Sequence, residues 1–317
     1  MKTRRAFLAG PRQIELREIS VSPGPGQLLV RVAVCGLCNW EQNHWKGLLG
    51  ECPQTLGHEW GGTVVEVGKG VTSFEIGDKV TGLPDSLTGF SDYLVTAAET
   101  CVKLVPKVNP EEVLGEPLKC IVTVLRGVLP EAGDIGVVLG CGPMGLWCIQ
   151  GMAGGLPGAL VSVDIAPDKL QLARRFGATH TVNSREDDVV ARIKEISNGR
   201  MADFVIEGTG IPEILNQAVM YLKEGRGRLA VMSTHPRPCK DFDWRPVQDK
   251  GITVLGTHPP YSISEADDMR RAALLINNGT FKMDGVISHR FPLERIQEAF
   301  ETCEHKPADY IKGVVIP

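Results

Sequence analysis

Gly140-Cys141-Gly142-Pro143-Met144-Gly145 constrains the fold of this chain more than any other stretch. A continuous apolar run, Ile135 to Leu139, leads into it, and the pattern from Leu146 onward is helical until Gly154-Gly155. Strand, glycine turn and helix in that order begin a doubly wound sheet that binds a dinucleotide. Gly140 permits the tight turn, Gly142 lets the backbone approach phosphate, and Gly145 lets the helix pack on the strand. The first helical amides, beside Pro143 and Met144, then face the pyrophosphate with the positive end of the helix dipole. Among 36 glycines a bare glycine pattern can arise by chance, so the context decides. Asp164 ends the next strand, Leu160 to Val163, about twenty residues past the last glycine, where an acid takes the adenosine ribose hydroxyls. The competing reading is a structural turn with a capping aspartate. A carboxylate at this point repels a 2′-phosphate, and Ile165-Ala166 offers no arginine to receive one. NAD is therefore expected over NADP, although Lys169 stands near enough to reach a ribose or a phosphate.

A length of 317 residues suggests two domains. A hydrophobic share of 43% with 23% charged residues fits a soluble globular chain. A formal net charge of −4 argues against partners held by bulk electrostatics, nucleic acid and membrane surface alike. No apolar run approaches the length of a membrane span. Met1 to Arg5 followed by Ala6 to Ala9 has the outline of a leader, but the apolar part is short and Arg12 follows at once; a mature, cytoplasmic start is expected. The nine cysteines are odd in number and several lie in apolar or helical stretches, which favours a reducing compartment. Cys35-Gly36-Leu37-Cys38 has redox spacing, yet it ends a strand and has no second pair with which to build a zinc ribbon.

Residues 1–117 read as a small β-rich domain. Ile14 to Ile19, Leu28 to Val34, Thr63 to Val67, Phe90 to Val95 and Val102 to Val105 are short strands with glycine and proline at their joints. Residues 118–260 alternate strands with helices, as a parallel sheet covered on both faces does. Asp168 to Phe176 and Ile211 to Leu222 are its helices, and Arg228 to Met232 a later strand. Residues 261–317 return to the first domain, with a helix after Ser264 and a last strand Gly313 to Ile316. Gly251 to Gly256 is an apolar strand suited to an exposed sheet edge that pairs across a dimer.

Cys38, His58, Glu59 and Glu116 offer a thiolate, an imidazole and two carboxylates, a donor mix suited to zinc. Singly each has a plainer reading: a core cysteine, a satisfied histidine, a carboxylate capping the next helix. Together, and upstream of a nucleotide turn, they indicate a metal beside a hydride carrier.

Val32 to Cys38, Leu56-Gly57-His58-Glu59, Gly115-Glu116-Pro117-Leu118, Gly140 to Gly145, Asp164 and Ile287 to Leu293 together resemble the zinc-dependent medium-chain alcohol dehydrogenases. The acid of Glu116-Pro117-Leu118 is more similar to the polyol (sorbitol-type) and threonine dehydrogenase branch than to the ethanol branch. The resemblance spans nearly the whole chain. It implies an α/β architecture, a GroES-like β-rich catalytic domain plus a Rossmann doubly wound parallel sheet, with substrate in the cleft between. It implies that Cys38 and His58 are zinc ligands, that Glu59 and Glu116 compete for the remaining positions directly or through water, and that the chain forms a homodimer or homotetramer. The family's structural-zinc lobe is absent; only Thr81 to Gly89 lies in its place, so one catalytic zinc per chain is expected. The proton path departs as well. Trp40 stands where the family places a relay serine or threonine, and Asn43 where a histidine or tyrosine continues the relay. Indole cannot accept a proton. Glu41 stands where an aspartate supports the ligating histidine. Either His44 or Glu59 moves the proton, or Trp40 shapes the pocket while water carries it, or the chemistry differs. The expectation is a zinc-assisted, NAD-dependent interconversion of a secondary alcohol, a polyol or sugar derivative, with its ketone. The alternatives are a relay-free reductase of an activated carbonyl, imine or conjugated double bond, and a non-catalytic NAD-binding protein.

Overall fold

A computed structural model describes residues 1–235 and 237–317 of the chain. The chain divides into two compact units, residues 1–119 with 265–317, and residues 120–264. The junctions fall a few residues beyond the expected boundaries. Lys119, the last residue before the first junction, is tied to Glu116 and Glu265 and so stays with the first unit.

The first unit opens with β1 (Lys2–Gly10), β2 (Gln13–Ser20), β3 (Gln27–Gly36), α1 (Asn39–Trp45), β4 (Gln54–Thr55), β5 (Glu59–Val67), β6 (Lys79–Gly82), β7 (Tyr93–Ala97) and β8 (Cys101–Lys103). The chain then enters α2 (Gly115–Val128), which carries it into the second unit. There follow β9 (Ile135–Leu139), α3 (Pro143–Met152), β10 (Ala159–Asp164), α4 (Pro167–Arg175), β11 (His180–Asn183), α5 (Val189–Ile196), β12 (Phe204–Glu207), α6 (Ile214–Tyr221), β13 (Arg228–Val231), α7 (Arg245–Lys250) and β14 (Thr253–Gly256). The return supplies α8 (Glu265–Asn277), β15 (Ile287–Pro292), α9 (Ile296–His305) and β16 (Lys312–Ile316).

In the first unit β3 is the hub, pairing antiparallel with β5, β7 and β16. Leu28, Val30, Val32, Trp60, Val64, Phe90, Leu94 and Phe300 fill its core. A smaller sheet runs β2-β1-β4. β1 was not foreseen as a strand, because its basic and apolar halves look like a leader. In the structure Ala6 and Leu8 share one buried face; on the opposite face Thr3 is buried and Phe7 packs under the guanidinium of Arg17. The strand expected at Phe90 to Val95 begins instead at Tyr93, since Phe90 is a buried plug whose carbonyl accepts from the Ala6 amide at 3.0 Å. The short loop in place of the missing lobe is fastened by Asp85, which accepts from Thr96 Oγ1 at 2.8 Å and the Ala97 amide at 2.5 Å.

The second unit is a six-stranded parallel sheet in the order β11-β10-β9-β12-β13-β14. The order reverses between β9 and β12, the switch point outside which such sheets bind ligands. Its core takes Val137, Leu139, Val161, Val163 and Leu229 from strands read in the sequence, and Val205 from β12, which was not. β14 is an edge strand, as expected of that segment.

Candidate active site: a four-donor cluster and a nucleotide turn

The metal candidates come together because three elements end at one place. β3 terminates at Gly36, and Cys38 then precedes the first turn of α1; β5 starts at Glu59, opposite Gly36 in the register; Glu116 lies in the first turn of α2. Cys38 Sγ lies 3.6 Å from His58 Nε2, and Glu116 Oε2 lies 3.8 Å from the same nitrogen. Donors 2.0–2.3 Å from a tetrahedral zinc sit about 3.4–3.6 Å apart, so His58 lies near ligand spacing from each of these two groups. His58, Glu59 and Glu116 offer donor atoms within 4.8 Å of one another, as do Cys38, Glu41 and His58. In general, zinc held by three protein ligands with one open position is catalytic, whereas structural sites are closed.

Glu41 does two jobs from one helical turn. Its Oε2 accepts from the Cys38 amide at 3.3 Å, reaching back over three residues as a capping glutamate does. Its Oε1 meets His58 Nδ1 at 3.1 Å and accepts from the Gly57 amide at 2.8 Å. That contact leaves Nε2 facing the other donors, the orienting role a carboxylate plays behind a ligating histidine. Burial opposes a charged imidazole, but Glu41 and Cys38 outweigh it and hold the His58 pKa well above the ordinary value. Burial pushes the Cys38 thiol up, although His58 pulls the other way.

Glu59 is engaged differently. Its Oε2 pairs with Lys312 Nζ at 2.5 Å, and both side chains are buried. Gly36 makes room for the pair, since a Cβ there would stand 2.0 Å from Glu59 Oε2. Burial raises the Glu59 pKa against the pull of Lys312. Lys312 was not anticipated from the sequence. A lysine in a strand that is otherwise apolar, Gly313-Val314-Val315-Ile316, is the signal that could have found it.

Trp40 packs edge-on against His58, ring centroids 5.3 Å apart, and lies 4.2 Å from the ring of His44. It is 41% exposed, so one face of the cluster is roofed by indole next to solvent. His44 is buried, and neither ring nitrogen has a hydrogen-bond partner among the described residues.

In the second unit Gly140 ends β9 with φ +89°, a conformation that favours glycine. A Cβ on Gly145 would stand 1.9 Å from the Gly140 carbonyl oxygen, whereas one on Gly142 would meet open space. The turn is thus tight beneath and bare above, where Pro143 and Met144 start α3, as a phosphate cradle requires. Asp164 Oδ2 accepts from the Cys141 amide at 2.7 Å and Oδ1 from the Ala166 amide at 2.9 Å, fixing an anion at the end of β10. Lys169 is in the first half of α4, one turn beyond. Glu207, fully buried at the end of β12, was missed by sequence reasoning. It accepts from Thr209 N at 2.6 Å, from Gly210 N at 3.1 Å and from Ser233, and so shapes the turn beside Gly140.

Comparison with known proteins identifies the family. The zinc-binding dehydrogenase family model matches residues 143–276, and the alcohol dehydrogenase GroES-like domain model matches residues 24–107. L-threonine 3-dehydrogenase of Pyrococcus abyssi is 30% identical, over 95% of this chain and 93% of its own length. Erythritol/L-threitol dehydrogenase of Mycolicibacterium smegmatis is 30% identical, over 92% of this chain and 91% of its own. Among solved structures, a zinc-binding dehydrogenase from Sinorhizobium meliloti bound to NADP superposes with a TM-score of 0.88 at 26% identity, covering 100% of both chains. The chain belongs to the zinc-type medium-chain alcohol dehydrogenase superfamily, in its polyol and threonine dehydrogenase-like branch.

Proposed function

We propose that this dehydrogenase, which interconverts an alcohol and a ketone, uses NAD and a single zinc per chain to oxidise a secondary alcohol with a second polar group on the neighbouring carbon, polyols foremost. The observation that carries the reading is the position of His58 Nε2, 3.6 Å from Cys38 Sγ and 3.8 Å from Glu116 Oε2. The substrates named for the relatives support the class: the C3 carbinol of L-threonine and the carbinols of erythritol both adjoin a carbon bearing nitrogen or oxygen.

Bound zinc supplies a Lewis acid for the carbinol oxygen, and bound nicotinamide takes the hydride. The chain does the rest. Cys38 and Glu116 bring negative charge to the cluster, and Glu41 keeps His58 turned toward it. Lys312 holds Glu59 back, so Glu116 is the direct carboxylate ligand and Glu59 the outer one. Trp40 roofs the imidazole and shapes the pocket, and because indole takes no proton, solvent at its exposed rim carries the alcohol proton away. The catalytic set is then Cys38, His58 and Glu116, with Glu59, Trp40 and His44 shaping their surroundings. Gly140, Gly142 and Gly145 seat the pyrophosphate, and the fixed charge of Asp164 selects NAD over NADP. Lys169 serves the ribose or phosphate side. The nine free cysteines suit the reducing cytoplasm.

The deciding experiment is reduction of NAD⁺ and NADP⁺ by zinc-loaded protein over a panel of vicinal diols, tetritols, hexitols and hydroxy-amino acids. Turnover is expected with NAD⁺ and at least one such alcohol; activity confined to reduction of an activated carbonyl or double bond would favour the relay-free reductase, to which Trp40 and Asn43 also point. The half-buried edge strand β14 is proposed to pair with its copy in a homodimer. Sedimentation is expected to give the dimer, and a monomer at micromolar concentration would end that part of the proposal.

A further inference from the structure

A second buried lysine, Lys119, stands against the other carboxylate of the cluster. It is 1% exposed, and its Nζ lies 3.3 Å from Glu116 Oε1 and 2.9 Å from Glu265 Oε2. The two oxygens of Glu116 are thereby distinguished: Oε1 faces the ammonium, while Oε2 faces His58 Nε2. Burying an ammonium completely is costly unless carboxylates surround it, so the position of Lys119 is fixed by Glu265 as much as by Glu116. Glu265 starts α8, in the part of the chain that returns to the first unit, and its side chain is 43% exposed. A residue nearly 150 positions away in sequence thus anchors the lysine that orients a metal-facing carboxylate.

We infer that Lys119 is a positioning residue that makes Glu116 a one-oxygen ligand, holding Oε1 away from the ion and leaving a coordination position for the substrate oxygen. The inference rests on the zinc reading above. Both oxygens of a carboxylate free to rotate can close on one ion and take up the position that substrate needs. An ammonium against Oε1 prevents that, and it also draws charge from the carboxylate, so the ion stays more electrophilic. Lys312 pairs with Oε2 of Glu59, the carboxylate that stays outside the ligand set. Of two carboxylates near one imidazole, each is thus restrained by its own lysine.

The test is a Co²⁺ titration of the metal-free protein followed by visible absorption, comparing wild type with K119M, K119R and E265Q. Wild type is expected to take one Co²⁺ with the intense bands of a four-coordinate site containing thiolate. In K119M the bands should lose intensity, as the second oxygen of Glu116 joins the coordination, and Co²⁺ affinity should rise, because a nearby positive charge is removed and a donor is gained. K119R should restore both, and E265Q should fall between them, which keeps the test decisive if K119M does not fold. K119M or E265Q with bands and affinity superimposable on wild type would overturn the role of Lys119 while leaving the metal site standing. Wild type that takes up no Co²⁺ would overturn both.

Discussion

Cys38→Ser is expected to lose tightly held zinc, and turnover should fall by about 10³-fold or more with it. A serine hydroxyl is not ionised in the range where a thiolate can be, so the substitution removes both the softest donor and one of the negative charges. Glu116→Gln should behave similarly, since its Oε2 faces His58 Nε2 at 3.8 Å. Glu59→Gln is expected to differ in kind. Its carboxylate is spent on Lys312 in a pair with both partners buried, so removing it leaves an uncompensated ammonium. That costs about 3–5 kcal/mol of folding stability, while zinc should be retained. Adding Lys312→Met to Glu59→Gln should recover much of the stability, because no buried ammonium is then left without a counter-charge. Metal content by elemental analysis, with melting temperature measured beside it, separates the cases. Zinc lost from Glu59→Gln and kept in Glu116→Gln would reverse the assignment of the two carboxylates.

The parts of this protein that follow from local pattern could be read without a structure. The β9 run, the glycine turn, the helix after it and Asp164 are adjacent in sequence, and their periodicity and spacing state their roles directly. The donors Cys38, His58, Glu59 and Glu116 were legible as a set because few other combinations of those residue types precede a nucleotide turn. Their ranking was not. Which carboxylate meets the ion depends on Lys312 from the last strand and Lys119 from the start of α2; nothing in the spacing ties Lys312 to the cluster, whereas Lys119 stands three residues after Glu116 on one helix, a spacing that could have paired them. β1 was obscured for a different reason: each face of the strand carries an arginine, Arg4 beside Ala6 and Leu8 and Arg5 beside Thr3 and Phe7, so no clean alternation shows. α1 was passed over because Asn39 to Trp45 is short and rich in polar and aromatic residues; Glu41 gives it a back-bond to Cys38, and α9 packs beside it. Long-range pairing, rather than propensity, decides these elements.

The hold that Glu41 and Cys38 keep on protons sets the second large effect, a steep dependence of metal affinity on pH. In the metal-free protein the His58 pKa lies well above its ordinary 6.5 and that of the Cys38 thiol above 9.0. Ligation needs Nε2 bare and the sulfur as thiolate, so both protons must leave when the ion enters. From pH 6.5 upward, until the raised values are passed, log K should therefore climb by about two per pH unit, a hundredfold, where an ordinary histidine would give about one. The sign for folding is opposite. A histidine whose pKa is raised in the folded state contributes stability that is complete below the unfolded value near 6.5 and is lost as pH rises through the folded one. The metal-free protein should accordingly become less stable over the same interval in which it binds zinc more tightly. Glu41→Gln removes the main attraction that raises the His58 pKa, and it should lower the slope toward one while also loosening the ring. Chelator competition at several pH values, with proton release measured by calorimetry in buffers of different ionisation heat, gives the slope directly. A wild-type slope of one or less, unchanged by Glu41→Gln, would mean that His58 is already neutral before the metal arrives and that the Glu41 contact orients the ring without charging it.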